Sequence, residues 1–321
     1  MDFHKVHTHT MRTIIALPLL FVSSMSARAE IVNFSGSADR LPHDAYIHVV
    51  SESVSPVQQA YVKAKDGVYI AAAIRKPKGE GPFPAIVIFH GAPGGRGMEQ
   101  LVGWSRGDHG GPVWERFLVE GFVVAVADYR GGDLNAMNAP STSGLVTAID
   151  DGLSVLEHVK ALPYVNGSMI SVYGVSLGGN LAVFLASQAP WLHAVVLGAP
   201  APVWFLGHTA PSSGPRPDFS KLPPDVETTR ANIGPIRTPI LIQVGTNDRL
   251  LPLDLVLHDQ LVKHGKQVRM EVYEHGYHDF VLGPQGQKRV DMPEGEFLMH
   301  AALDALDRAV AFVTAPRAPA E

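Results

Sequence analysis

The sequence predicts an α/β domain, with a mainly parallel central sheet flanked by helices and a short lid-like insertion. Three observations carry that prediction. Unbroken apolar runs recur along the chain, as strands buried on both faces of a parallel sheet require. Segments with apolar residues three and four apart fall between them, the spacing of a helix with one buried face. The two kinds of segment alternate from about residue 55 onward, which calls for right-handed crossovers and a sheet covered on both sides.

The elements follow in order. Arg12 precedes the apolar run from Ile14 to Val22, and Ala27-Arg28-Ala29 places small residues where a signal peptidase reads them. Residues 1–29 therefore read as a secretory signal peptide cleaved after Ala29, with export to a periplasm or the outside. The run is too short to span a bilayer, so no stable membrane anchor is expected. His4, His7 and His9 precede a better start for this signal at Met11, and read as a discarded extension rather than a metal tract. Residues 30–54 read as an N-terminal extension.

Residues 59–75 alternate polar and apolar side chains around Asp66-Gly67, a hairpin with a tight turn. Pro84-Ala85-Ile86-Val87-Ile88-Phe89 and Phe122-Val123-Val124-Ala125-Val126-Ala127 are two buried strands, separated by a helix over residues 113–120. Leu145, Ala148, Ile149, Leu153, Leu156 and Val159 mark one helix face, opened by capping residues at 141–143. Strands at 170–173, 194–197, 240–244 and 268–273 then interleave with helices at 177–187 and 253–264, and a last helix runs over about 296–313. Two stretches interrupt this rhythm: Gly-rich residues 94–112, and an insertion at about 200–239 rich in Pro and Ser. Residues 55–315 thus form one domain, and residues 316–321 read as a flexible tail.

Composition excludes several classes of function. The 321 residues contain no Cys, which removes disulfides, cysteine nucleophiles and thiolate metal sites. The 26 Lys and Arg against 31 Asp and Glu leave a net charge of −5 without long runs of either sign, so no nucleic-acid partner is expected. No metal or organic cofactor is expected either, and the oligomeric state stays open.

The chemistry is carried by Gly174-Val175-Ser176-Leu177-Gly178-Gly179, which follows an apolar strand and opens an apolar helix. This is the context of a nucleophile elbow, a turn so tight that side chains larger than hydrogen would collide around the exposed Ser. A serine hydroxyl needs a base, and the base needs a carboxylate to orient it. Asp248, on the loop after residues 240–244, is the expected acid. Asp254 falls inside the following helix, where a solvated or first-turn role is the plainer reading. After residues 268–273, His275 and His278 both stand in position to be the base. His278 is preferred, because it lies farther into the loop and beside Asp279-Phe280.

An oxyanion formed on acyl attack requires two donors. The amide of Leu177 at the start of the elbow helix is one. His90-Gly91-Ala92-Pro93-Gly94-Gly95 supplies the other through Ala92, since Pro93 has no N–H. His90 itself reads as a hydrogen-bonding scaffold, and Asp128 and Arg130 as residues that bind loops together. Trp104 and His109 in the first long loop, and Trp204 and Phe205 in the insertion, are candidates to shape a substrate pocket. For each aromatic residue, core packing is the competing role.

These pieces together resemble the α/β-hydrolase superfamily over roughly residues 55–315. Residues 117–131, Leu162-Pro163-Tyr164-Val165 and the His278-Asp279-Phe280 end are similar to the catalytic domains of prolyl-oligopeptidase-like and dienelactone-hydrolase-like enzymes. Too few residues precede the first strand to build the propeller that full prolyl oligopeptidases carry. The resemblance implies a free-standing serine hydrolase acting on small carboxylic esters through Ser176, His278 and Asp248. A peptidase or amidase using the same residues on a short peptide, a hydrolase of another bond, and a catalytically silent binding protein are the alternatives.

Overall fold

Apolar alternation sorts the strands onto two cores, one on each face of the sheet. In the strand over residues 83–89, Ala85, Val87 and Phe89 enter one buried cluster, while Ile86 and Ile88 enter the other. All five are inaccessible to solvent, which is why the run contains no polar residue. The computed structural model describes residues 29–32, 57–105, 113–130, 142–208, 218–278, 280–282 and 295–317.

Nine described strands make one sheet: β1 (Ala29–Val32), β2 (Gln58–Lys63), β3 (Tyr69–Arg75), β4 (Phe83–Phe89), β5 (Val123–Ala127), β6 (Val165–Val175), β7 (Val195–Gly198), β8 (Ile240–Gly245) and β9 (Val268–Tyr273). Their order is β1-β9-β8-β7-β6-β4-β5-β3-β2. The β2–β3 hairpin and its pairing to β5 are antiparallel. All other neighbours run parallel.

The helices are α1 (Met98–Ser105), α2 (Val113–Val119), α3 (Thr142–Lys160), α4 (Leu177–Gln188), α5 (Val226–Ile233), α6 (Leu251–Lys263) and α7 (Gly295–Thr314). Buried side chains of α3, α4, α5 and α6 join the first core, and those of α1, α2 and α7 join the second. The expected mainly parallel sheet, covered on both faces, is therefore observed.

Some expectations need correction. Residues 29–32 are not outside the sheet: they form β1, an edge strand parallel to β9. Four residues are too few to show a period, so sequence alone gave no sign of it. β6 begins at Val165 rather than 170, because Asn166, Gly167 and Ser168 lie at the partly exposed end of a long strand and a register shift against β4 falls there. The two long irregular stretches each conceal a helix, α1 and α5. The α5 helix is capped by Asp225, whose side chain accepts the Thr228 amide at 2.8 Å. The insertion thus contains a helix; its residues 209–217 lie outside the described residues, as do the signal segment at 1–28, residues 33–54 of the N-terminal extension, His109 and residues 318–321 of the tail.

Two polar anchors fix the strand ends near the elbow. Arg130, just past β5, forks onto Asp151 of α3 with contacts of 2.6–3.1 Å and also reaches Asp66 in the β2–β3 turn. Asp151 is inaccessible to solvent, so the bidentate guanidinium is what makes its charge tolerable. Asp128 performs the second anchoring, described with the site below. Among the described residues, no helix is long and apolar enough to cross a membrane.

Candidate active site

The turn from β6 into α4 is strained and crowded. Ser176 sits at φ 54° and ψ −117°, outside the usual regions for a side chain. A Cβ at Gly178 would lie 2.1 Å from the Phe89 carbonyl oxygen, and one at Gly174 would lie 2.2 Å from the Gly178 carbonyl oxygen. Only hydrogen fits at either place, which explains the spacing of the glycines. The Ser176 amide donates to the Gly198 carbonyl at 3.1 Å, tying the strained residue to the end of β7.

Two further loops converge on Ser176. The loop after β8 carries Asp248, and the loop after β9 carries His278. They press together closely enough that a Cβ on Gly245 would meet the Gly276 carbonyl oxygen at 2.0 Å. The Asn247 amide donates to the Gly276 carbonyl at 2.9 Å, and the His275 amide to Thr246 Oγ1 at 2.8 Å. This contact brings His278 Nε2 to 2.8 Å from Ser176 Oγ and His278 Nδ1 to 2.7 Å from Asp248 Oδ2. The other carboxylate oxygen of Asp248 accepts the Leu250 amide at 2.8 Å. His275 adopts φ 62° at the tip of the turn, and it is His278 that meets the serine.

Asp254 stands in the first turn of α6, one of the two roles the sequence offered it, but it is fully buried rather than solvated. Neither side-chain oxygen has a hydrogen-bond partner among the described residues. Burial, with the nearby charge of Asp248, pushes its carboxyl well above the usual carboxylate range. A proton on Asp254 leaves the charge of Asp248 available to His278.

The remaining wall is the loop after β4. Gly91 packs so near that a Cβ there would lie 3.3 Å from Ser176 Cβ. Ala92 lines the cavity beside it, while the Leu177 amide opens α4, where first-turn N–H groups lack an intrahelical carbonyl. The loop is held from beneath by Asp128, which accepts from the amides of Gly95, Gly97 and Tyr129 at 2.8–2.9 Å and faces His90 Nε2 at 3.2 Å. Burial opposes the charge of Asp128, yet His90 and the converging amides hold its carboxyl down at about 2. Tyr129 donates its hydroxyl to the His90 carbonyl at 2.8 Å. Burial, and then the Asp128 charge, push its phenol well above the ordinary value. Arg96 clasps the loop from outside, with Nε on the Pro93 carbonyl at 3.1 Å and Nη2 on the Ala92 carbonyl at 2.5 Å. The scaffold roles expected of His90, Asp128 and Arg130 match these contacts.

A cavity of about 490 Å³ opens over Ser176 and His278, and Trp104 lines it as the sequence suggested. Trp204 and Phe205 do not line it. Phe205 is fully buried against Phe184, with ring centroids 5.0 Å apart, and Trp204 packs half-buried on the same core. Their aromaticity therefore serves packing under the insertion. Sequence reasoning missed Arg96, Gln100 and Trp114, which also line the cavity. Trp114 projects from the expected helix α2, but periodicity shows which face is buried and not what lies against it. Among the described residues, no cluster of three or more His, Cys, Asp or Glu is arranged to hold a metal ion.

Known proteins match this architecture. The family model described as the dienelactone hydrolase family fits residues 70–314, from within β3 through the elbow, the acid loop and the histidine loop to the end of α7. The chain belongs to the dienelactone hydrolase family. It is thereby a hydrolase of the α/β-hydrolase superfamily. A putative dienelactone hydrolase from Klebsiella pneumoniae superposes with a TM-score of 0.54 at 16% identity, covering 82% of this chain and 99% of that one. Thermogutta terrifontis esterase 2, in a form phosphorylated by paraoxon, superposes with a TM-score of 0.56 at 22% identity, covering 81% and 94%. Esterase FrsA of Shigella boydii is 26% identical over 201 residues, 60% of this family member and 41% of the relative. Acylamino-acid-releasing enzyme 2 of Oryza sativa is 23% identical over 258 residues, 70% of this chain and 31% of that enzyme. The chain thus spans less than half the length of these two curated relatives.

Proposed function

We propose that this family member is a serine esterase of small carboxylic esters. The observation that carries the reading is the hydrogen-bonded series Ser176 Oγ, His278, Asp248, with both links between 2.7 and 2.8 Å. His278 Nε2 removes the hydroxyl proton as Ser176 Oγ attacks the ester carbonyl. The tetrahedral oxyanion is received by the amides of Ala92 and Leu177. Collapse breaks the ester C–O bond, the proton on His278 passes to the leaving alcohol, and Ser176 is left acylated. Water then gives its proton to His278 and its oxygen to the acyl carbon, releasing the acid and restoring the serine. Asp248 orients the imidazole and stabilises its charged form without taking the proton.

Turnover of short p-nitrophenyl esters compared with aminoacyl and prolyl anilides tests the substrate class. Esters turned over faster, with loss of turnover in Ser176→Ala, support this reading. Faster anilide cleavage at equal concentration would instead favour an amidase, the second reading, which the resemblance to an acylamino-acid-releasing enzyme supports. Ester turnover unchanged in Ser176→Ala would remove both.

The leader composition further supports export, with Ala29 as the last residue removed. N-terminal sequencing of the exported protein should begin at Glu30, which leaves Glu30 to Val32 in place beside β9. A mature protein that retains Arg12 would refute it.

A further inference from the structure

The loop carrying Ala92 is joined to the end of β5 by a second histidine–carboxylate pair, this one buried, that the reaction above leaves without a role. His90 is 3% exposed and lines the cavity beside Ser176. Its Nδ1 lies 2.7 Å from the Gly91 carbonyl oxygen, and its Nε2 lies 3.2 Å from Asp128 Oδ1. A carbonyl oxygen can only accept a hydrogen bond, and so can an ionised carboxylate. Asp128 is in that ionised state, because Oδ1 also takes the amides of Gly95 and Tyr129, and Oδ2 takes that of Gly97.

A neutral imidazole has one N–H and one lone pair. Here it would turn its lone pair against an oxygen at one of the two contacts. An imidazolium donates at both. The rings around it suit a cation: Tyr129 stacks on His90 with centroids 4.8 Å apart at 23°, and Trp104 adjoins it at 5.2 Å. The neighbouring cation, Arg96, is committed to the Ala92 and Pro93 carbonyls and lies over Trp104. Asp128 is the counter-charge.

The Gly91 carbonyl and the Ala92 N–H belong to one peptide unit. That unit is planar and trans, so its carbonyl and its N–H point in opposite directions. Fixing the oxygen on His90 aims the hydrogen away from it, and a charge-assisted bond to the oxygen strengthens the N–H as a donor.

We propose that His90 is a doubly protonated positioning residue, which holds and polarises the Gly91–Ala92 peptide and thereby the N–H that receives the oxyanion. This rests on Ala92 being an oxyanion donor of the proposed esterase. His90 touches no reacting atom, and its effect passes through the peptide.

Nitrogen-15 NMR of the full-length protein at pH 7 tests it, with the His90 ring assigned by the signals lost in His90→Gln. Both ring nitrogens should appear protonated, and Nδ1–H should show through-hydrogen-bond coupling to the Gly91 carbonyl carbon. One bare ring nitrogen, or no such coupling, would overturn the proposal. In parallel, His90→Gln and His90→Asn should lower kcat by about tenfold, with KM nearly unchanged, a fraction of the loss from deleting an oxyanion donor outright. Full kcat in a folded variant would also overturn it. Should neither variant fold, selective labelling assigns the ring and the wild-type spectrum decides. Absence of covalent probe on Ser176 would mark failure of the esterase reading, whereas labelled Ser176 beside a neutral His90 would mark failure of this one alone.

Discussion

At Ser176 the backbone carries strain that an ordinary serine would shed, and the side chain it presents is already bonded to a histidine held by a carboxylate. The worth of Asp248 follows from its place in that series. Asp248→Asn keeps the shape but offers an amide to Nδ1, favouring the wrong tautomer, so kcat should fall on the order of 10⁴-fold while the fold persists. Steady-state kinetics beside circular dichroism checks this, and a loss below tenfold would contradict it. Asp128 makes a different, structural prediction. Its folded carboxyl is depressed from 3.8 to about 2, so the stability it contributes is fully present above the unfolded value and is lost as pH falls through about 2. That contribution is on the order of 2 kcal/mol. Asp128→Asn should therefore lose stability at neutral pH and flatten the dependence of unfolding free energy on pH between 4 and 2. Parallel acid-unfolding curves for the two proteins would refute the assignment.

Among the elements, the elbow between β6 and α4 has no room for added atoms at Gly174 or Gly178. Gly178→Ala would drive a methyl group against the Phe89 backbone, which cannot withdraw because β4 is paired on both sides. We expect a stability loss of about 1–3 kcal/mol or more with loss of the proposed esterase activity, measured by urea unfolding; a variant of wild-type stability would contradict the crowding. The elbow was legible in the sequence because its tight turn admits only glycine on either side of the serine, crowded by its own backbone at Gly174 and by the end of β4 at Gly178, and because it interrupts two strongly apolar elements. The order of Ser176, Asp248 and His278 was legible for the same reason, each standing on a loop just past a buried strand. Other elements were not. The α1 and α5 helices sit in stretches whose Gly and Pro content masks a short helical pattern, and β1 is too short to have one. Trp204 and Phe205 were misplaced because a buried aromatic has the same sequence signature in a pocket wall as in a core. Asp254 looked like a first-turn carboxylate at the dipole of α6, and no local pattern announces that α6 turns that residue inward.

At the scale of the whole molecule, the sheet serves to gather distant residues at one edge. Ser176 and His278 are 102 positions apart, and His278 and Asp248 are 30 apart, yet parallel β6, β8 and β9 deliver all three loops to the same end. With no disulfide available to a chain without Cys, that arrangement depends on the two apolar cores. Under the proposed function this assembly makes Ser176 a nucleophile, and covalent capture reads that reactivity. The protein treated with a fluorophosphonate should gain one adduct, mapped by peptide mass spectrometry to Ser176 and lost in both Ser176→Ala and His278→Ala. An adduct that persists in Ser176→Ala, or its absence from the folded wild-type protein, would mean that Ser176 is not the nucleophile.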